Sequence, residues 1–258
     1  MQVINQDKSG SVFKLYLNSW QRLPELKFKL DSARCTSIEL QQRALLCASV
    51  PRPKDCWLFD GFNYEIIQKS SHPHTMGDVV DVNDKVFIFA GTNLMVEKLN
   101  ADKKSWRVIG DMERVLPGRP HYQQFSTLGM NNKLFTFGGL ANLIGDWNQS
   151  ERVYVMDVTT SVWSEHSQSL LKARAWHRSV VGGATILFTG GDTTKPLEPS
   201  NFPGPRVLEP FEKWTWNGVD FTRELTAEFN FTNYLGNDYW EAFVVNPSHF
   251  TDDCFGPL

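Results

Sequence analysis

Three arginines stand where they could do chemistry together. Arg34, Arg119 and Arg174 each precede an apolar, hairpin-like stretch, in the contexts Ala-Arg-Cys, Gly-Arg-Pro-His and Ala-Arg-Ala-Trp-His. If those stretches are equivalent, the three guanidinium groups converge, and a guanidinium grips a carboxylate through two parallel hydrogen bonds. The set would then make a cationic pocket for a carboxylate-rich peptide, with Tyr122 and Trp176 beside it as the aromatic anchors that protein interfaces favour. The plainer reading gives the arginines structural work, bridging neighbouring units through carbonyl oxygens and acidic side chains. A second candidate is His72-Pro-His74, whose histidines would share one face of a strand as metal ligands. Pro73 disturbs a strand there and no third ligand stands nearby, so a solvated loop is expected, and no metal. His121 and His177 lie just ahead of two of the hairpins and are expected to tie loops by hydrogen bonds.

Strong catalytic signatures are missing. There is no Gly-x-Ser-x-Gly, no phosphate-binding loop, no His-Glu-x-x-His and no paired-cysteine zinc pattern, so no catalytic residue and no cofactor is assigned. A net charge of −3 with 21% charged residues offers no field for nucleic acid. No apolar run is long enough to span a bilayer. The expected partner is therefore a protein or peptide, with neither nucleic-acid binding nor membrane insertion. Met1 to Trp20 is polar and lacks the apolar core of a secretory signal, which leaves an intracellular chain or a mature or internal fragment. Two glycosylation sequons, Asn148-Gln-Ser and Asn230-Phe-Thr, are no more than chance supplies.

The elements that must position these residues are repeats. Val79–Gly91 aligns without a gap with Thr127–Gly139 at an offset of 48, and a further offset of 52 reaches Ser179–Gly191. Each copy runs through a two-residue turn (Asn83-Asp84, Asn131-Asn132, Gly183-Ala184) into a second apolar run ending in Gly-Gly or Ala-Gly. That pattern predicts a β-hairpin whose second strand is buried on both faces. A second motif follows: an alternating strand, a polar turn and a tryptophan. Val96–Trp106 matches Val153–Trp163 at an offset of 57, Arg206–Trp216 is a looser copy, and Val12–Trp20 and Cys56–Tyr64 are shorter ones. The unit is four strands in two hairpins, repeated about every 50 residues, and the chain is all-β.

The glycine doublets (Gly138-Gly139, Gly190-Gly191, with Ala90-Gly91 as a variant), the downstream Tyr154 and the tryptophans Trp20, Trp106, Trp163 and Trp216 resemble the kelch-repeat family. The resemblance is strongest from Val79 to Trp216. It implies a kelch-type β-propeller in one domain, 1–258, with five blades at about 226–258 with 1–25, 26–69, 70–112, 117–168 and 170–224, or six if the chain is truncated. Pairing of the two terminal segments would close the ring and remove exposed sheet edges. In such a family the doublet lets strands approach where a Cβ would clash.

Leu45–Ser49 followed by Cys56–Gly61 is similar to the cysteine-bearing first blade of invertebrate extracellular kelch-like proteins. That likeness implies a Cys47–Cys56 disulfide and favours an extracellular or cell-surface setting over a cytoplasmic one. A buried Cys47 thiol beside an unrelated Cys56 is the alternative. Copper enzymes of the galactose-oxidase kind share the propeller, but their crosslinked tyrosine–cysteine site also draws on a separate domain that this chain has no length to hold. An iron enzyme of the plant specifier kind needs a Glu, Asp and His triad that is not found. The implied function is a non-catalytic protein-binding scaffold, with an intracellular substrate adaptor as the alternative. Asp192–Pro205, with four prolines, reads as a stiff insertion that could present Leu197 and Phe202 to a partner.

Overall fold

The computed structural model describes residues 2–4, 12–16, 19–23, 36–41, 43–49, 52–75, 77–89, 94–102, 104–112, 115–116, 122–123, 125–143, 146–175, 177–189, 212–217 and 220–225. Among them all regular structure is β, in six antiparallel sheets. The first sheet holds β1 (Gln2–Ile4), β2 (Val12–Tyr16) and β3 (Ser19–Leu23). Four sheets of four strands follow in chain order. They are β4–β7 (Thr36–Leu40, Arg43–Ser49, Arg52–Phe59, Tyr64–Ile66) and β8–β11 (Asp78–Val82, Lys85–Phe89, Met95–Leu99, Trp106–Asp111). The third is β13, β14, β17 and β18 (Ser126–Met130, Lys133–Phe137, Val153–Asp157, Trp163–Glu165). The fourth is β19–β22 (Arg178–Gly182, Thr185–Thr189, Glu212–Trp216, Phe221–Leu225). The sixth sheet, which was not expected, joins β12 (Tyr122–Gln123), just ahead of β13, to β15 (Leu140–Leu143) and β16 (Asp146–Gln149), inserted between β14 and β17.

Turn chemistry explains the inner hairpins. Asn83 and Asp84, and Asn131 and Asn132, all adopt positive φ, as a two-residue I′ turn requires, while Gly183 alone does so in the third copy. The second strands are buried along nearly their whole length, four of five positions in both β9 and β14. Each outer turn is organised by an Asx side chain that accepts backbone N–H bonds: Asp60 from Phe62 and Asn63, Asp102 from Lys104 and Ser105, Asp157 from Thr159 and Thr160, Asn217 from Asp220.

Successive four-stranded sheets pack through their first strands: β4 on β8, β8 on β13, β13 on β19. β8 and β13 run the same way. Thr127 N–H donates to Asp78 Oδ2 (3.0 Å) at their beginnings and Asn83 Nδ2 to Asn132 Oδ1 (3.4 Å) at their turns, while the Ser126 and Ser179 hydroxyls meet at 2.5 Å in the next pair. Such serial packing suits a propeller or a sandwich. Three apolar clusters fill the spaces between sheets. Trp106 joins Leu45, Cys47 and Leu58 of the preceding sheet, and Trp163 meets Phe89 edge-on at 5.1 Å.

One correction concerns the repeat motif. The ladder sets Glu97 opposite Ile88 and Glu212 opposite Phe188, so the looser copy is displaced by five residues from the expected alignment. Trp216 therefore does not repeat Trp106 and Trp163. Trp214 is the buried one, packed on Phe137 (5.6 Å), with Trp216 half-buried against Phe221. The position of Trp106 in the first four-stranded sheet is held by Tyr64, stacked on Phe59 at 4.6 Å. Of Trp20 the strand β3 alone is described, paired with Leu15.

Candidate functional site

The segments that lead into the first strands carry the chemistry. Two are described but for one residue each, ahead of β8 and β19, and they are bound in the same way. Ser70 and His74 donate backbone N–H bonds to the carbonyls of Lys54 (2.9 Å) and Pro53 (2.8 Å) in the preceding sheet. Leu170 and Arg174, exactly one hundred residues on, donate to Glu151 (2.7 Å) and Ser150 (3.2 Å).

A carboxylate from the third strand closes each segment from the other side. Glu97, fully buried, accepts the backbone N–H groups of Ser71 (2.9 Å) and His72 (2.8 Å) and lies 2.9 Å from His74 Nε2. Burial by itself would raise Glu97, but the His74 hydrogen bond and the two backbone donors outweigh it and hold the carboxyl at about 2. Glu212, also fully buried, accepts Leu171 N–H (2.8 Å) and Trp214 Nε1–H (2.7 Å) and pairs with Arg174 at 3.4 Å. In the intervening repeat the equivalent positions are both tyrosine. Tyr122 and Tyr154 are fully buried and meet edge to face at 5.9 Å, and the Tyr122 hydroxyl donates to the Gly138 carbonyl.

These contacts correct three expectations. Arg174 is not displayed for a ligand: its side chain is wholly buried and its charge is answered by Glu212. Tyr122 is core, not an exposed anchor. His74 is not solvated, since its imidazole is enclosed against Glu97, although His72 is partly exposed. By register Arg174 aligns with Tyr122 and His74, not with Arg119, so the three arginines are not repeats of one position. His177 is 1% exposed and, among the described residues, neither ring nitrogen finds a hydrogen-bond partner. Desolvation, then the charges of Arg174 and Arg178, push it well below its ordinary 6.5. Arg34, Arg119, Trp176, Phe202, Gly91, Gly190, Gly191 and His121 lie outside the described residues, as does the Asp192–Pro205 insertion.

Gly138 and Gly139 are needed where they stand. Both take positive φ, and a Cβ on Gly138 would fall 2.5 Å from the Arg174 carbonyl oxygen and 2.8 Å from His177 Cε1. On Gly139 it would meet the Gln123 carbonyl oxygen at 2.9 Å, and the Gly139 N–H donates to Arg174 O at 2.8 Å. The doublet thus lets one sheet touch the segment leading into the next. Cys47 and Cys56 face each other across β5 and β6 with Cα atoms 4.4 Å apart and are joined in a disulfide, fully buried.

Glu97 and Glu212 went unnoticed in the sequence. The available signal was a lone acidic residue inside an otherwise core-facing strand, Met-Val-Glu-Lys-Leu in β10, because a buried charge is retained where it has partners. No group of three or more His, Cys, Asp or Glu among the described residues could hold a metal ion.

No protein-family model matches the chain, and no curated protein matches it in sequence. Its fold is widely shared, with 312 solved chains matching, so likeness of this kind carries architecture and not activity. One of them, YjhT, superposes with a TM-score of 0.64 over 87% of this chain and 79% of its own, at 13% identity.

Proposed function

We propose that the chain is a kelch-type β-propeller of five blades, closed by pairing 226–258 with 1–25, that serves as a non-catalytic scaffold for a protein or peptide partner. The carrying observation is the common direction of β8 and β13, with β13 and β19 meeting at their starts. It brings the segments leading into them to one end of the packed sheets, where loops can converge on a ligand. The segments ahead of β8 and β19 are clamped from both sides, so residues displayed there would be held in place before binding, which lowers the cost of association. Arg174 and Tyr122 belong to the clamps. The binding role is therefore assigned to Arg34, Arg119 and Trp176, with Phe202 of the proline-rich insertion, and the ligand class to acidic peptides. The disulfide supports an oxidising, extracellular setting.

The test uses an immobilised array of acidic peptides. The wild-type chain should bind a subset in a salt-sensitive way, and the Arg34→Ala/Arg119→Ala variant should lose at least tenfold in affinity with unchanged thermal unfolding. Equal binding by the variant would remove the arginine-based reading.

A further inference from the structure

The inserted sheet β12–β15–β16 places one of the two sequons in view. Asn148 lies on β16, the outer strand of that sheet, paired on one side with β15. Its cross-strand neighbour Ala141 shares its face and is 3% exposed, embedded in the core, whereas Asn148 itself is exposed. The amide therefore sits one strand beyond the packed layer, with solvent around it. The buried Cys47–Cys56 disulfide is a separate observation, and it points to folding in the oxidising compartment where N-glycosylation occurs.

We propose that Asn148 is an N-glycosylation site, carrying an oligosaccharide that covers the outer edge of β16. The donor would be a lipid-pyrophosphate-linked oligosaccharide. Asn148 Nδ2 attacks the anomeric carbon of its first sugar, the N-glycosidic bond forms, the sugar–phosphate C–O bond breaks, the amide gives up one proton and the lipid pyrophosphate leaves. No redox partner is involved. The hydroxyl-bearing residue of the sequon fixes the order of events. Ser150 is nearly buried: its N–H donates to Gly139 O (2.8 Å), its carbonyl accepts from Arg174 N (3.2 Å) and its hydroxyl accepts from Arg152 N (3.1 Å). A transferase needs that hydroxyl free, so the transfer precedes closure of this region, and the folded chain then leaves the modified Asn148 in solvent. An unpaired strand edge is a template for association, and a hydrated glycan would block it.

The experiment is secretion of the full chain from eukaryotic cells behind an added cleavable signal peptide, followed by peptide N-glycanase, which converts a glycosylated asparagine to aspartate. Wild-type protein should show a mobility shift and an aspartate at position 148 by peptide mass. Asn148→Gln should remove that shift or reduce it by one glycan, and Asn230→Gln should keep the glycan at 148. Unmodified Asn148 in the wild-type peptide map overturns the proposal, whether or not Asn230 is occupied, and this reading needs no variant to fold. The result is independent of partner binding.

Discussion

Glu97 and Glu212 occupy one position in two different sheets, each opposite the penultimate residue, or its equivalent, of a buried second strand, and each receives the segment leading into its own sheet. The cationic or ionisable partner differs, His74 in one and Arg174 in the other, but the backbone capture is the same. These two repeats thus share a clamp and vary its charge chemistry.

Removing one member of the Arg174–Glu212 pair leaves an uncompensated buried charge. Glu212→Leu should cost about 3–5 kcal/mol by urea denaturation, and Arg174→Met/Glu212→Leu should recover much of it, since apolar replacement of a whole buried pair is often near neutral. A single-variant loss under about 1 kcal/mol would mean that the guanidinium finds water.

Stability should fall with acid in two stages. His177 is depressed below its ordinary 6.5, so the unfolded chain takes up the proton first and stability declines as pH drops below about 6.5. Glu97 is held at about 2 against an ordinary 4.5, so its contribution is present above 4.5 and is lost as pH falls from there towards 2. Chemical denaturation across pH should show the first stage weakened in His177→Phe and the second unchanged, the remainder of the first coming from His166, which burial also lowers.

Two glycine substitutions separate strain from crowding. Gly183→Ala meets positive φ with nothing within 4 Å and should cost about 1 kcal/mol. Gly138→Ala adds a collision with the Arg174 carbonyl and should cost about 3 kcal/mol or more. Equal losses would place the burden on the backbone angle alone.

The disulfide should resist reagents while the fold stands. Both sulfurs are fully buried, so alkylation after mild reductant should label neither cysteine until denaturant is added. A Cys47→Ala/Cys56→Ala chain should be less stable by about 2–3 kcal/mol, the size expected for so short a loop. Ready labelling in native buffer would contradict the packing.

Some of the missing structure was latent in the repeat spacing. The inner hairpins recur after 48 residues but the outer motif after 57, and the nine extra residues are where β15 and β16 insert. The offset was visible; that the insertion would pair with Tyr122–Gln123 as a sheet of its own was not. Trp214 and Trp216 could not be told apart by spacing, because both terminate an alternating run and the ladder to β20 alone sets the register.

By itself the amino-acid order determined what is local. Paired asparagines and a Gly-Ala step demanded turns with positive φ, alternating and continuous apolar runs demanded half-buried and fully buried strands, and a shared period demanded repeated hairpins. Tertiary structure decided which polar groups would be enclosed. His74 reaches Glu97 across 23 positions and Arg174 reaches Glu212 across 38. Whether such a side chain faces a ligand or a carboxylate depends on how one sheet lies on the next, and that packing brings together groups with no fixed relation along the chain.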